Sequence, residues 1–170
     1  YGIGVDGRVG MYVEEKNRSW CSSSNANDQR AITIECASDA THPYAFNDTV
    51  YAKLIELCTD ICKRYGKTKL LWFGDKTKTL NYEPASNEMV LTVHRWFANK
   101  SCPGDWMYAR MGDLASKVTA KLGGSAGGTE KPADNQAFYR VQTGAFSNKT
   151  NADAMLQLSL IHISEPTRRT

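Results

Sequence analysis

The chain contains no run of apolar residues long enough to cross a bilayer, so no segment reads as a membrane-spanning helix. It also lacks an initiating Met and a recognisable signal peptide. It opens on Tyr1-Gly-Ile-Gly-Val-Asp6-Gly7-Arg-Val, which reads as a strand, a tight Asp-Gly turn and a second strand. Structure that begins inside a hairpin predicts that a piece of the natural protein precedes Tyr1. Charge of one sign is scarce: 21 Lys and Arg stand against 18 Asp and Glu, a net charge of +3. That balance is too small to argue for a nucleic-acid partner, and it suits an anionic polymer without requiring one. An even set of cysteines is missing too. Cys21, Cys36, Cys58, Cys62 and Cys102 make an odd number and no secreted disulfide framework, a usage that fits a reducing setting.

What is present suffices for one full domain and part of another, because 170 residues with 41% hydrophobic content can bury a sizeable core. Ala31-Ile-Thr-Ile-Glu35-Cys36 alternates, with Ile32, Ile34 and Cys36 facing the core and Thr33 and Glu35 facing away. Residues 38–46, with Pro43, read as a loop. Asn47 offers an N-cap to a helix in which Tyr51, Leu54, Ile55, Cys58, Ile61, Cys62 and Tyr65 repeat at helical spacing up to Gly66. Cys58 and Cys62 lie one turn apart on that helix and read as small buried hydrophobes rather than a metal or redox pair. Lys69-Leu-Leu-Trp-Phe73 reads as a strand, residues 74–88 as a polar loop, and Leu91-Thr-Val-His94 as the lead into a chemically richer segment. Pro103 and Gly104 open a second helix with the apolar stripe Met107, Met111, Leu114, Val118 and Leu122, its methionines being packing residues.

The domain 1–122 is expected to end at a flexible linker, 123–137, rich in Gly, Ser and Pro. Residues 138–146 alternate like a strand, and 147–156 look like a capped helix start. The last stretch, 158–170, breaks all periodicity. It resembles the translated sequence of a sequencing adapter and reads as a non-natural tail, so His162 receives no role.

The richest segment is His94-Arg-Trp-Phe-Ala-Asn-Lys100-Ser-Cys102-Pro-Gly, which puts an imidazole, an ammonium and a thiol close together. His94 and Cys102 are good zinc ligands, and a catalytic zinc takes three protein ligands and keeps a place for water. Lys100 could stabilise an oxyanion beside such a metal. Glu35, on the strand face away from the core, is the candidate base. Taken singly, Glu35 is as readily a solvated strand residue, Trp20 a partly buried core aromatic, and His94 and Cys102 structural side chains.

Three blocks over residues 1–122 resemble the amidase-2 family of N-acetylmuramoyl-L-alanine amidases, related to the peptidoglycan recognition proteins. They are the Asp6-Gly7 hairpin, the run from Arg18-Ser-Trp20-Cys21 through Asn27-Asp28 to Glu35, and His94-x5-Lys100-x-Cys102-Pro103-Gly104. The resemblance implies an α/β domain with a mixed β-sheet flanked by helices. It implies zinc as cofactor, His94 and Cys102 as metal ligands, Glu35 and Lys100 as catalytic residues, and Trp20 lining the substrate cleft. The family's first zinc His lies on a strand before the hairpin, so the third ligand is expected outside this chain. His42, in a Pro-containing loop, is not promoted to that place. Many relatives carry a His where Cys21 stands, and Tyr1 inherits no catalytic role. The implied reaction is hydrolysis of the amide between N-acetylmuramic acid and L-alanine in bacterial peptidoglycan, the implied partner. The alternative is a non-catalytic peptidoglycan binder on the same fold. Residues 139–154 resemble the start of a SPOR domain, a module that binds glycan strands stripped of stem peptides. The expected setting is the cell wall or extracellular space, or the cytoplasm until lysis for a phage endolysin, and the expected state is a monomer.

Overall fold

A computed structural model describes residues 1–123 and the backbone of 140–146. Two short strands, β1 (Gly2–Ile3) and β2 (Val9–Gly10), form the opening hairpin. Its turn closes through Gly4 N–H to the Arg8 carbonyl and Gly7 N–H to the Gly4 carbonyl, both 2.9 Å. Gly7 takes a left-handed φ of 78°, which explains the Asp-Gly pair. A one-turn helix α1 (Asn25–Asp28) precedes β3 (Ala31–Ala37), and the long α2 (Asp48–Arg64) follows. Then come β4 (Lys69–Leu71), α3 (Lys76–Asn81), β5 (Glu88–Val93), a 3-10 turn over His94–Trp96, α4 (Asp105–Tyr108), α5 (Met111–Lys121) and β6 (Arg140–Phe146).

The strands form one sheet in the order β2-β1-β3-β6-β5-β4, with only β1 and β2 antiparallel. This is the expected mixed sheet flanked by helices. Period-2 alternation then sorts its two faces. Ile32, Ile34 and Cys36 of β3 and Met89, Leu91 and Val93 of β5 join the core formed with α2 and α5. Thr33, Glu35 and Thr92 stand on the other side. There α1 closes the centre, with Thr92 Oγ1 donating to Asn27 Oδ1 at 3.2 Å.

The α2 helix begins where its sequence says it should. Asn47 Oδ1 accepts from Val50 N–H at 2.8 Å, while Asn47 Nδ2 donates to the Val5 carbonyl of the hairpin at 2.9 Å. It ends in a Schellman arrangement. Gly66, with a φ of 64°, donates to the Lys63 carbonyl at 3.0 Å, and Lys67 N–H donates to the Cys62 carbonyl at 2.8 Å. Cys58 and Cys62 are fully buried thiols with no disulfide, as expected of packing residues, and burial pushes Cys62 up to about 12.

Three expectations need correction. Residues 74–88 are not all loop, since Asp75 caps α3 by accepting from Lys78 N–H at 2.6 Å. The strand at 69–73 stops at Leu71, and Trp72 leaves the sheet to stack on Trp96, with ring centroids 4.9 Å apart. The helix opened by Pro103 and Gly104 is two helices, broken at Ala109 and Arg110, with Met107 on the first and Met111, Leu114 and Val118 on the second. Edge strand β4 is held from outside the sheet. Thr119 Oγ1 of α5 accepts from Leu70 N–H at 3.0 Å and lies 3.2 Å from the Leu70 carbonyl oxygen, so one helix side chain satisfies an otherwise open edge. The strand expected in the C-terminal segment is β6, paired with β3 and β5. The expected linker 123–137 past Gly123, the helix start at 147–156 and the tail at 158–170 lie outside the described residues.

Candidate active site

Strands β3 and β5 run parallel to β6, so their C-terminal ends share one edge of the sheet. Ligands collect beyond such strand ends because the loops that follow diverge there. A cavity of about 610 Å³ lies at this edge, and Glu35, His94, Lys100 and Cys102 all line it. Four residues picked from sequence for one chemistry therefore face one space, although 67 positions separate the first from the last.

Each is placed by local backbone chemistry. Glu35 sits near the end of β3, its N–H donating to the Tyr1 carbonyl at 3.0 Å. His94 is the first residue after β5. The Cys102 loop is folded back onto it, because Arg95 N–H donates to the Cys102 carbonyl at 3.0 Å. Arg95 then braces Asp105 at 2.9 Å through its guanidinium, which also donates to the Ser101 carbonyl. His42 is turned to Asp105, Nε2 to Oδ2 at 2.8 Å, and lines no part of the cavity. Across the floor, Glu15 takes two hydrogen bonds from the Arg64 guanidinium, at 2.6 and 2.7 Å, and one from the Tyr1 hydroxyl at 2.8 Å.

Electrostatics divide the cavity. Burial pushes the Glu35 carboxyl up to about 7. A carboxyl poised there can exchange a proton near neutral pH. Burial is the main cause that lowers His94, the Lys100 charge adds to it, and the Asp28 carboxylate opposes both. The imidazole is therefore held neutral, the form that donates a lone pair. His94 Nε2 is buried and has no hydrogen-bond partner.

The family model described as N-acetylmuramoyl-L-alanine amidase matches residues 1–105, from the hairpin through the loop that carries Cys102. The chain belongs to this family. No curated protein and no solved structure gives a match.

In this amidase domain the orphaned His94 nitrogen and the Cys102 thiol fit a divalent metal that prefers nitrogen and sulfur, which is the preference of zinc. An orphaned buried lone pair costs about 1–3 kcal/mol, so a metal in that place would remove a penalty as well as add a bond. Among the described residues no group of three or more His, Cys, Asp or Glu side chains is placed to hold a metal. The described residues thus offer two candidate donors, His94 and Cys102, rather than a full ligand set.

Trp20 departs from the expectation that it lines the cleft. It is 81% exposed and lies flat under the Arg18 guanidinium, 3.6 Å from the ring centroid, while its neighbours Ser19 and Cys21 form the wall. The reason is two tethers that sequence reasoning missed. Ser19 Oγ accepts from Thr33 Oγ1 at 2.8 Å, and Ser22 N–H donates to Asp28 Oδ1 at 3.0 Å. With Ser19 and Ser22 pulled inward, Trp20 stands out at the rim while Cys21 beside it faces the cavity.

Asp28 is 3% exposed, so Asp28→Ala strands the buried Ser22 N–H. The expected cost is about 1–3 kcal/mol. Asp28→Asn keeps an acceptor oxygen and should recover most of it. Urea unfolding of the two variants checks this. Equal losses in both would place the effect in the charge instead of the hydrogen bond.

Proposed function

We propose that the chain hydrolyses the amide between the lactyl group of N-acetylmuramic acid and L-alanine of the stem peptide, with zinc as cofactor. The observation that supports it is that, in a chain of this family, Glu35, His94, Lys100 and Cys102 face one cavity. His94 and Cys102 would hold the metal, which when bound supplies Lewis acidity toward the carbonyl and makes water more acidic. Glu35, poised near neutrality by burial, accepts the proton of the attacking water. The Lys100 ammonium faces the carbonyl oxygen as negative charge grows on it. Glu35 then delivers its proton to the departing alanine nitrogen, which leaves a free carboxylate on the lactyl group and a free peptide amine. Trp20, flat and exposed at the rim, offers a stacking face to the glycan.

A second reading rests on the incomplete ligand set among the described residues: a peptidoglycan binder that does not cleave. One assay separates the two. The chain is incubated with zinc and a muramyl pentapeptide, and the products are read by mass spectrometry. The hydrolase reading expects a free pentapeptide beginning with L-alanine; retention of intact substrate by a protein that binds it supports the binder.

Either activity belongs at the cell wall, outside the cell or in the cytoplasm before lysis for a phage endolysin, in a monomer. The SPOR resemblance of 139–154 covers only the first strand and helix of such a module, so an affinity for stripped glycan strands is proposed for the intact module and not for this chain. β6 pairs with β3 over all seven of its residues and with β5 over its first four, so such binding requires that strand to leave the sheet.

A further inference from the structure

The loop between β3 and α2 carries the most strained side chain at the cavity. Tyr44 has a φ of 58°, the left-handed region that a residue with a β-carbon enters only when its surroundings force it. The surroundings here do so. Tyr44 N–H donates to the Thr41 carbonyl at 2.7 Å, and the Pro43 carbonyl accepts from Trp106 N–H at 3.2 Å. The turn is pressed directly onto the loop that follows Cys102. A β-carbon on Gly104 would lie 2.8 Å from Tyr44 Cβ and 3.0 Å from the Pro43 oxygen, so only glycine permits the contact.

Tyr44, so held, lines the cavity together with Cys102 and Gly104. Among the described residues its hydroxyl has no hydrogen-bond partner. Backbone cost held in place by two packed loops, at a cavity-lining residue whose hydroxyl the fold does not use, is the pattern of a ligand contact.

We propose that Tyr44 is a substrate-contact residue, its hydroxyl donating to a carbonyl or carboxylate oxygen of the muramyl peptide beside the scissile amide. This rests on the peptidoglycan reading given above. The assignment rests on the hydroxyl and not on the ring, which makes Tyr44→Phe the decisive variant. It keeps the ring, the strain and the packing, and removes one donor.

The test is calorimetric binding of N-acetylmuramyl-L-alanyl-D-isoglutamine to the full chain, with a thermal melt of each protein. Tyr44→Phe should bind about three- to tenfold more weakly than the parent, the loss of one hydrogen bond, at an unchanged melting temperature. A parent that binds and a Phe variant of equal affinity would overturn the Tyr44 assignment and leave the peptidoglycan reading standing. A parent that does not bind the muramyl peptide at all would overturn both.

Discussion

Glu35→Gln is expected to lower turnover of a muramyl peptide about a hundred- to ten-thousand-fold, the usual worth of a positioned general base. The amide is nearly the same size as the carboxylate and makes no demand on the strand, so the loss would report chemistry, not folding. Metal content should not change, because His94 and Cys102 are the proposed ligands. Unchanged release of peptide by the variant would remove Glu35 from the mechanism. The same substitution has a second signature in the metal-free protein. Burial raises the folded carboxyl from 4.5 to about 7, so the folded state holds this proton more tightly than the unfolded chain. The stability this contributes is fully present below about pH 4.5 and is lost as pH rises through about 7. Glu35→Gln should therefore be more stable than the parent at pH 8, by on the order of 1–3 kcal/mol, and show no such advantage at pH 4. Urea unfolding at the two pH values checks it, and a pH-independent difference would contradict the buried-carboxyl account.

Lys100→Ala is expected to reduce kcat about a hundred- to a thousand-fold with little change in KM, since in the proposed mechanism the ammonium meets charge that exists only in the transition state. A rise in KM at constant kcat would instead make Lys100 a ground-state contact. An independent reading comes from the imidazole. Burial is the main cause holding His94 down, and Lys100 is the second. Removing the lysine should move the His94 titration upward in the metal-free protein, part of the way to its ordinary value. Proton NMR of the three histidines follows this directly, and an unmoved His94 would place Lys100 outside its electrostatic reach.

Much of this site was readable in the chain because its parts obey short-range rules. Alternation along Ala31–Ala37 put Glu35 on the face away from the core, and a single loop holds His94, Lys100 and Cys102 close in sequence. Capping chemistry delimited α2 in the same way. The α3 helix escaped because Lys76-Thr-Lys-Thr-Leu-Asn81 has no apolar stripe, and only Asp75 as an N-cap marks it. Other features depend on contacts between distant segments. The serines around Trp20 and the pair Asn27-Asp28 look like a solvated loop. They are buried because Thr33, Thr92 and the Ser22 N–H give them hydrogen bonds. Trp20 stands at the rim for that reason, which no spacing within the loop encodes. Tyr44 was likewise silent, since its backbone conformation is imposed by the seating of Pro43 and Gly104 against each other.

The account rests on one imidazole and one thiol gripping a metal in the cavity that Glu35 faces. Zinc titration of the parent chain, His94→Ala, Cys102→Ala and Glu35→Gln, read by calorimetry, tests this most directly. With two ligands in this chain and the third expected outside it, we expect one weak zinc site in the parent, the same site at similar affinity in the Glu35 variant, and its loss in both ligand variants. Zinc bound equally well by His94→Ala or Cys102→Ala would contradict it.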